Sequence, residues 1–379
     1  MSDDNQTPPS EHHPGLFVAG TGCAALKNNL GHDLGIPMDL RTTLGNISQF
    51  ARGADEFLDV VSMEHRPGQW APVKTSLMPG RSIVASHLYF PCFTQVPSHY
   101  NHFLYDWRAD LRHNAQRLLE FITTRKRENE RWCLVGHSQG CLLICLASKL
   151  LGDPDAFARH VRSVHMVGGP FAGTLMAAEA LIGAEPFGKC ADNAIKSIVH
   201  WTRSLFGTDA SSDVSSIREA ARSWPSLYQM LPRWHAVITR DGKEIEQGLL
   251  NPEVWSEQTH ITEDFFTRAR ETHEMMREPF DHLGDIDVEL VLADTMMTPT
   301  SFIWENGRLL HEFGSEERGD GVVPIHKTKL WLGKNAESRI RIHDGLEIDH
   351  TYLLAEDRIW TPTHFAKAKL AAMTSEDGD

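Results

Sequence analysis

The sequence predicts an α/β protein in which a doubly wound, mostly parallel sheet is interrupted by a helical insertion. Three observations carry this. Apolar runs of strand length alternate with helical stretches from residue 16 to residue 174. At the centre of that alternation lies Gly136-His-Ser-Gln-Gly140, a glycine turn between a strand and a helix. The alternation then stops near residue 175 and resumes near residue 283, which marks the insertion.

In chain order, residues 1–15 are polar and acidic, with no basic segment before an apolar run, so a tail is expected and a secretory signal is not. Leu16–Ala19 is a short strand that runs into the small-residue loop Gly20–Leu26. Residues 27–80 are mixed, although Asp55–Met63 has helical spacing before Pro67 and Pro72. Arg81–Phe90 and Asn101–Arg108 read as strands, the second ending in the polar-aromatic cluster Tyr105-Asp-Trp-Arg108. Ala109–Glu130 reads as an amphipathic helix with Leu111, Leu118, Leu119 and Ile122 on one face. Trp132–Val135 is a buried parallel strand, and Cys141–Leu150 is an apolar helix. Val161–Val167 is the next strand, and Gly168–Thr174 the loop after it.

Residues 175–282 form a helical cap with no predicted strand. Its large side chains include Trp201, Phe206, Trp224, Tyr228, Trp255 and Phe265. Most are read as the core of the cap, some as the wall of a route for an acyl chain. The sheet resumes at Asp287–Ala293, followed by a hairpin over Phe302–Leu310 and a tight loop at Arg318–Ile325. Arg339–His343 is the last strand and Asp344–Ile348 a loop. Closing helices run from Asp349 to about Met373, and 374–379 is a polar tail. The core is therefore expected over 16–174 and 283–373, with the cap over 175–282. No internal repeat is found.

The totals narrow the partners. A net charge of −14 argues against nucleic acid and against electrostatic docking on an anionic membrane. No apolar run is long enough to span a bilayer. Six cysteines are present. Cys133, Cys141 and Cys145 fall on the central strand and helix, while Cys23, Cys92 and Cys190 are scattered without zinc spacing. All are read as reduced thiols of a cytoplasmic protein. No metal and no organic cofactor is implied.

Gly-x-Ser-x-Gly between strand and helix is the pattern of the nucleophile elbow of α/β-hydrolases, which holds a serine oxygen up at the carboxyl end of the sheet. Ser138 is the expected nucleophile. The amide of Gln139, at a helix N-terminus, and that of Thr21 or Gly22, in the loop after the first strand, are the expected oxyanion donors. A serine hydroxyl needs a base oriented by a third group, and the chain order in this fold is Ser, Asp or Glu, His. Asp320, flanked by glycines in the Arg318–Ile325 loop, is favoured as the carboxylate over Asp294. His350, between the last strand and the closing helix, is favoured as the base over His343. His137 is expected to point away from the site and pack.

Several stretches together resemble the lecithin:cholesterol acyltransferase-like family of α/β-hydrolases: Phe17-Val-Ala-Gly-Thr-Gly-Cys-Ala-Ala-Leu26, Tyr105-Asp-Trp-Arg108, Gly136–Gly140, Gly168–Thr174, Trp224–Pro232 and Gly319-Asp-Gly-Val-Val-Pro324. The resemblance implies Ser138, Asp320 and His350 as the triad and the Thr21–Gly22 loop as the oxyanion site. It implies structural hydrogen bonds for Asp106 and Arg108. Ala19 stands where that family usually carries proline. The expected activity is hydrolysis of carboxylic esters with a lipid-like acyl chain, with transient membrane contact through the cap. Acyl transfer to an alcohol and a non-catalytic binding role on the same fold are the alternatives.

Overall fold

Strand β1 (Gly15–Val18) ends at Ala19-Gly20-Thr21. Short strands follow: β2 (Ala24–Lys27), β3 (Asp33–Leu34), β4 (Met63–Arg66), β5 (Gln69–Pro72) and β6 (Met78–Ser82). Then come β7 (Asn101–Phe103), α1 (Leu111–Thr124), β8 (Trp132–His137), α2 (Gln139–Leu151), α3 (Pro154–His160) and β9 (Val161–Val167). The inserted segment carries α4 (Leu175–Ile182), α5 (Pro225–Gln229), β10 (Val237–Thr239) and α6 (Glu263–Met275). The chain continues through β11 (Asp287–Ala293), β12 (Met296–Glu305), β13 (Arg308–Gly319), α7 (Ile325–Trp331) and β14 (Ile340–Leu346). The computed structural model describes residues 13–21, 24–27, 33–34, 63–66, 69–72, 78–82, 96–97, 100–126, 130–182, 221–246, 248–255, 263–332, 340–346, 350, 352–355 and 360.

The main sheet has the order β14-β11-β9-β8-β1-β7, and every neighbouring pair is parallel. The chain starts at β1, steps to one side for β7 and crosses to the other side for β8. The order therefore reverses beside β1, and the crevice at such a switch point is where a ligand site belongs. Both faces of the sheet are buried, which is why its strands read as unbroken apolar runs. Leu16, Val18, Leu134, Val164, Met166, Leu290 and Leu292 face the large core under α1 and α2. Their neighbours Phe17, Val135, Val167, Val291 and Ala293 face a second cluster with Tyr100, Leu353 and Leu354.

Several expectations are corrected. The strand beginning at Asn101 stops at Phe103, because the next residues satisfy one another locally. Asp106 accepts the Arg108 backbone N–H at 3.1 Å, and its own carbonyl accepts from Asn114 Nδ2 at 2.7 Å. These bonds compete with a sheet ladder and turn the chain. Helix α1 starts where the Asp110 carboxylate caps the Arg112 N–H at 2.8 Å, and it ends at Thr124 rather than Glu130.

The inserted segment does contain a strand. Val237–Thr239 pairs in parallel with Phe302–Trp304, a partner too distant in sequence for a three-residue run to announce. The hairpin of β12 and β13 spans Met296–Gly319, well beyond Phe302–Leu310. Its turn is Asn306-Gly307, with φ of 52° and 82°, the left-handed pair that a two-residue hairpin requires. Strand β14 runs on through Asp344 and Gly345, where its register against β11 shifts at a bulge.

The helical reading of Asp55–Met63 falls outside the described residues, apart from Met63 itself, which opens β4. Residues 83–90 also lie outside them, as do Trp201, Phe206 and most of the closing helical segment.

Among the described aromatics of the insertion, Trp224, Tyr228, Trp255, Phe265, Phe266 and Phe280 are buried in the large core, and Trp234 is partly buried against it. Tyr228 stacks on Phe265 with ring centroids 4.4 Å apart. Trp224 meets Trp107 edge-to-face at 5.1 Å. Gln229 fastens α5 to the start of α1, accepting from the Leu111 N–H at 2.8 Å and donating to Asp110 at 2.9 Å.

Candidate active site

The turn from β8 into α2 is built by close approach. A Cβ at Gly140 would fall on the Val18 carbonyl oxygen, and one at Gly136 would come within 2.8 Å of Ile144 Cδ1. Only glycine lets the first turn of α2 press against the end of β1. Between them Ser138 is held at φ 53° and ψ −124°, a region that a residue with a side chain rarely occupies. The surroundings fix it there: the Ser138 N–H donates to the Val167 carbonyl at 2.9 Å, and the Ser138 carbonyl accepts from the Cys141 N–H at 3.0 Å. Serine is a favoured N-cap residue, yet here its hydroxyl caps nothing and so stays available.

Asp320 sits in the loop after β13 with 2% of its surface exposed. Its Oδ1 accepts the backbone N–H groups of Val322 at 2.9 Å and Val323 at 2.6 Å. Its Oδ2 lies 2.8 Å from His350 Nδ1. The His350 backbone N–H donates to the Asp320 carbonyl at 2.9 Å, so main chain and side chain tie the two residues together. With Nδ1–H directed at the carboxylate, the other ring nitrogen keeps its lone pair. The imidazole packs against Gly168, at the end of β9 and next to β8. Among the described residues no hydrogen bond joins the Ser138 hydroxyl to His350. Such contacts are commonly loose before substrate binds.

His137 does not point away. Its Nε2 lies 3.1 Å from the His350 carbonyl oxygen, so that nitrogen is the protonated one, and the two rings are 5.0 Å apart between centroids. Burial, reinforced by the neighbouring His350, pulls the His137 imidazole down to about 3, which keeps it neutral.

The loop after β1 reaches the elbow through side chains. The Thr21 hydroxyl donates to Gln139 Oε1 at 3.3 Å. The Tyr105 hydroxyl lies 2.5 Å from the Ala19 carbonyl oxygen and 3.2 Å from Gln139 Oε1. The Gln139 backbone N–H opens α2 and has no intrahelical acceptor. Gly22 lies outside the described residues.

Asp294 follows β11, and its carbonyl accepts from Arg318 at 3.5 Å. His343 lies within β14, paired with Val291. Asp106 and Arg108 form a buried bidentate ion pair, with bonds of 2.9 and 2.8 Å, that stiffens the turn after β7. Sequence reasoning missed the Tyr105 hydroxyl, the Gln139 side chain and the His137 contact. Only the Tyr-Asp-Trp-Arg run gave any sign, and it pointed to Asp106 and Arg108.

A profile described as lecithin:cholesterol acyltransferase matches residues 101–297, just over half of the chain. The chain belongs to that family. The matched part of this lecithin:cholesterol acyltransferase-family chain contains Ser138 and the Tyr105–Arg108 run, and it ends before Asp320 and His350. No curated protein sequence matches the chain.

Among solved structures, the crystal structure of the Tle4–Tli4 complex is similar, with 12% identity over 92% of this chain and 96% of that one, at a TM-score of 0.56. The mature form of the Bacillus licheniformis lipase BlEst2 aligns at 11% identity over 92% of this chain and 89% of that one, at a TM-score of 0.35. The family and the Tle4 likeness go with the parallel sheet and glycine elbow. The fold is that of the α/β-hydrolases, and the family is of lipase and acyltransferase type.

Proposed function

We propose that this lecithin:cholesterol acyltransferase-family protein is a serine hydrolase of carboxylic esters with a lipid-like acyl chain, working through Ser138, His350 and Asp320. The observation that carries the reading is the Asp320–His350 pair, bonded at 2.8 Å, with its imidazole against Gly168, the residue after the Val167 whose carbonyl accepts the Ser138 N–H. His350 Nε2 takes the Ser138 proton as Oγ attacks the ester carbonyl. The oxyanion that forms is met by the Gln139 N–H, with Thr21 or Gly22 as the second donor. The imidazolium, stabilised by Asp320, then gives its proton to the departing alcohol and leaves an acyl-serine. Water, deprotonated by the same imidazole, releases the acid.

The test is hydrolysis of p-nitrophenyl esters of increasing acyl length, with fluorophosphonate labelling in parallel. Wild type is expected to be labelled and to prefer longer chains. Ser138→Ala is expected to lose the label and about 10⁴-fold or more of kcat. A folded wild type that takes no label would overturn the enzyme reading in favour of a binding role. Because the family includes acyltransferases, the assay includes a lipid alcohol. Transferred ester as the dominant product would replace hydrolysis with acyl transfer.

A further inference from the structure

We infer that the side chain of Gln139, supported by the Tyr105 hydroxyl, is the positioning device that sets the spacing between the two oxyanion donors. The inference rests on the serine-hydrolase reading and adds a residue role to it. Gln139 enters that reading only through its backbone N–H, yet its carboxamide is fully buried and bonded at both ends. Nε2 donates to the Trp107 carbonyl at 3.0 Å, which fixes which end is the amide nitrogen, because the oxygen would be repelled there. Oε1 is thereby aimed at the loop after β1, where it accepts from the Thr21 hydroxyl at 3.3 Å.

Tyr105 completes the linkage. Its hydroxyl donates a three-centre bond, with the Ala19 carbonyl as the near acceptor at 2.5 Å and Gln139 Oε1 as the longer one at 3.2 Å. Three pieces of chain therefore meet on one carboxamide: the elbow, the turn after β7 and the loop that follows β1. The residue whose backbone supplies one donor holds, through its side chain, the loop that supplies the other. A shift of either partner changes the gap into which the tetrahedral oxygen must fit, and donors at such a site act only within about 2.7–3.1 Å of that oxygen. Ground-state binding of the acyl chain depends on none of these bonds. The loss on breaking them belongs in the transition state.

The experiment uses the full chain with Gln139→Met, Tyr105→Phe, Thr21→Val and Thr21→Ser. It measures kcat and KM on the best p-nitrophenyl ester, and the affinity for an alkyl trifluoromethyl ketone, whose adduct with the serine carries the oxyanion. Gln139→Met, Tyr105→Phe and Thr21→Val are each expected to lower kcat about 10- to 100-fold, with KM changed less than about threefold. Ketone affinity should fall by the same factor as kcat/KM. Thr21→Ser, which keeps the hydroxyl, should restore near wild-type values. The double variant Gln139→Met/Thr21→Val should be no worse than the poorer single, because both remove one shared bond.

Thr21 is only partly buried, so its variants keep the test open if the core substitutions fail to fold. Additive losses, losses confined to KM, or Thr21→Val equal to wild type would overturn the inference while leaving a labelled Ser138 intact. A wild type that takes no fluorophosphonate overturns the hydrolase reading, and this inference with it.

Discussion

Asp320 offers its two carboxylate oxygens to different partners, and that division dictates what an amide would do in its place. Oδ1 accepts two backbone N–H groups, so an asparagine must turn its oxygen toward Val322 and Val323. Its NH₂ then faces His350 Nδ1 and forces the proton onto the opposite ring nitrogen. That tautomer cannot accept the serine proton. Asp320→Asn is expected to keep the fold, as read by circular dichroism, and to lower kcat about 10³- to 10⁴-fold.

At this scale, the elbow at Ser138 and the pairing of Asp320 with His350 were legible because chain order and glycine neighbours are sequence properties. The His137–His350 contact could not. Its cause is the packing of a loop more than two hundred residues away onto β8, and nothing around Gly136-His137 signals the partner. The Gln139 carboxamide was hidden for the same reason, since its three partners come from two other segments, the loop after β1 and the turn after β7.

Helix α4 carries an ionisable group that the elements around it leave in poor solvent. Burial alone raises the Glu179 carboxyl to about 7, against an ordinary 4.5. The folded protein therefore holds an extra proton between pH 4.5 and 7, and stability falls as the pH rises through that window. Glu179→Gln removes the penalty. It is expected to melt with wild type near pH 4.5 and several degrees above it at pH 8, an effect of up to about 3 kcal/mol. Calorimetry at the two pH values checks this, and a uniform shift at both would sink the explanation.

Elements were legible where length and periodicity were sufficient, as in β8, α2, β9 and β11. The short β10 was not, because its partner in the hairpin lies more than sixty residues away. The outer half of the hairpin was missed because Met296, Met297 and the facing Arg318 are exposed and show no apolar alternation.

Across the molecule, two buried imidazoles set an acid limit. His137 and His273 are both pulled down to about 3, in each case first by burial, with His350 and Arg233 respectively adding to it. Unfolded, each takes a proton near 6.5. Their contribution is fully present above pH 6.5 and is lost as the pH falls toward 3, with a limiting slope of about 1.4 kcal/mol per pH unit for each. His273 Nε2 donates to the Gln229 carbonyl at 3.1 Å, a bond that a glutamine amide can imitate. His273→Gln is expected to flatten the fall of Tm between pH 6.5 and 4 relative to wild type, and an unchanged slope would refute the assignment.

The sheet order set out above governs when the parts of the site come into being. The elbow is local: β8 and α2 are contiguous, and the strained serine forms as soon as they pack against β1 and β9. His350 comes from beyond β14, the strand at the far edge of the main sheet. On the proposed reading, the polypeptide would build its nucleophile early in synthesis and receive its base almost last, after many long-range pairings have closed. A nascent or partly folded molecule would then carry the serine without the proposed means to ionise it, and the proposed reactivity toward esters would be withheld until the final edge of the sheet is in place.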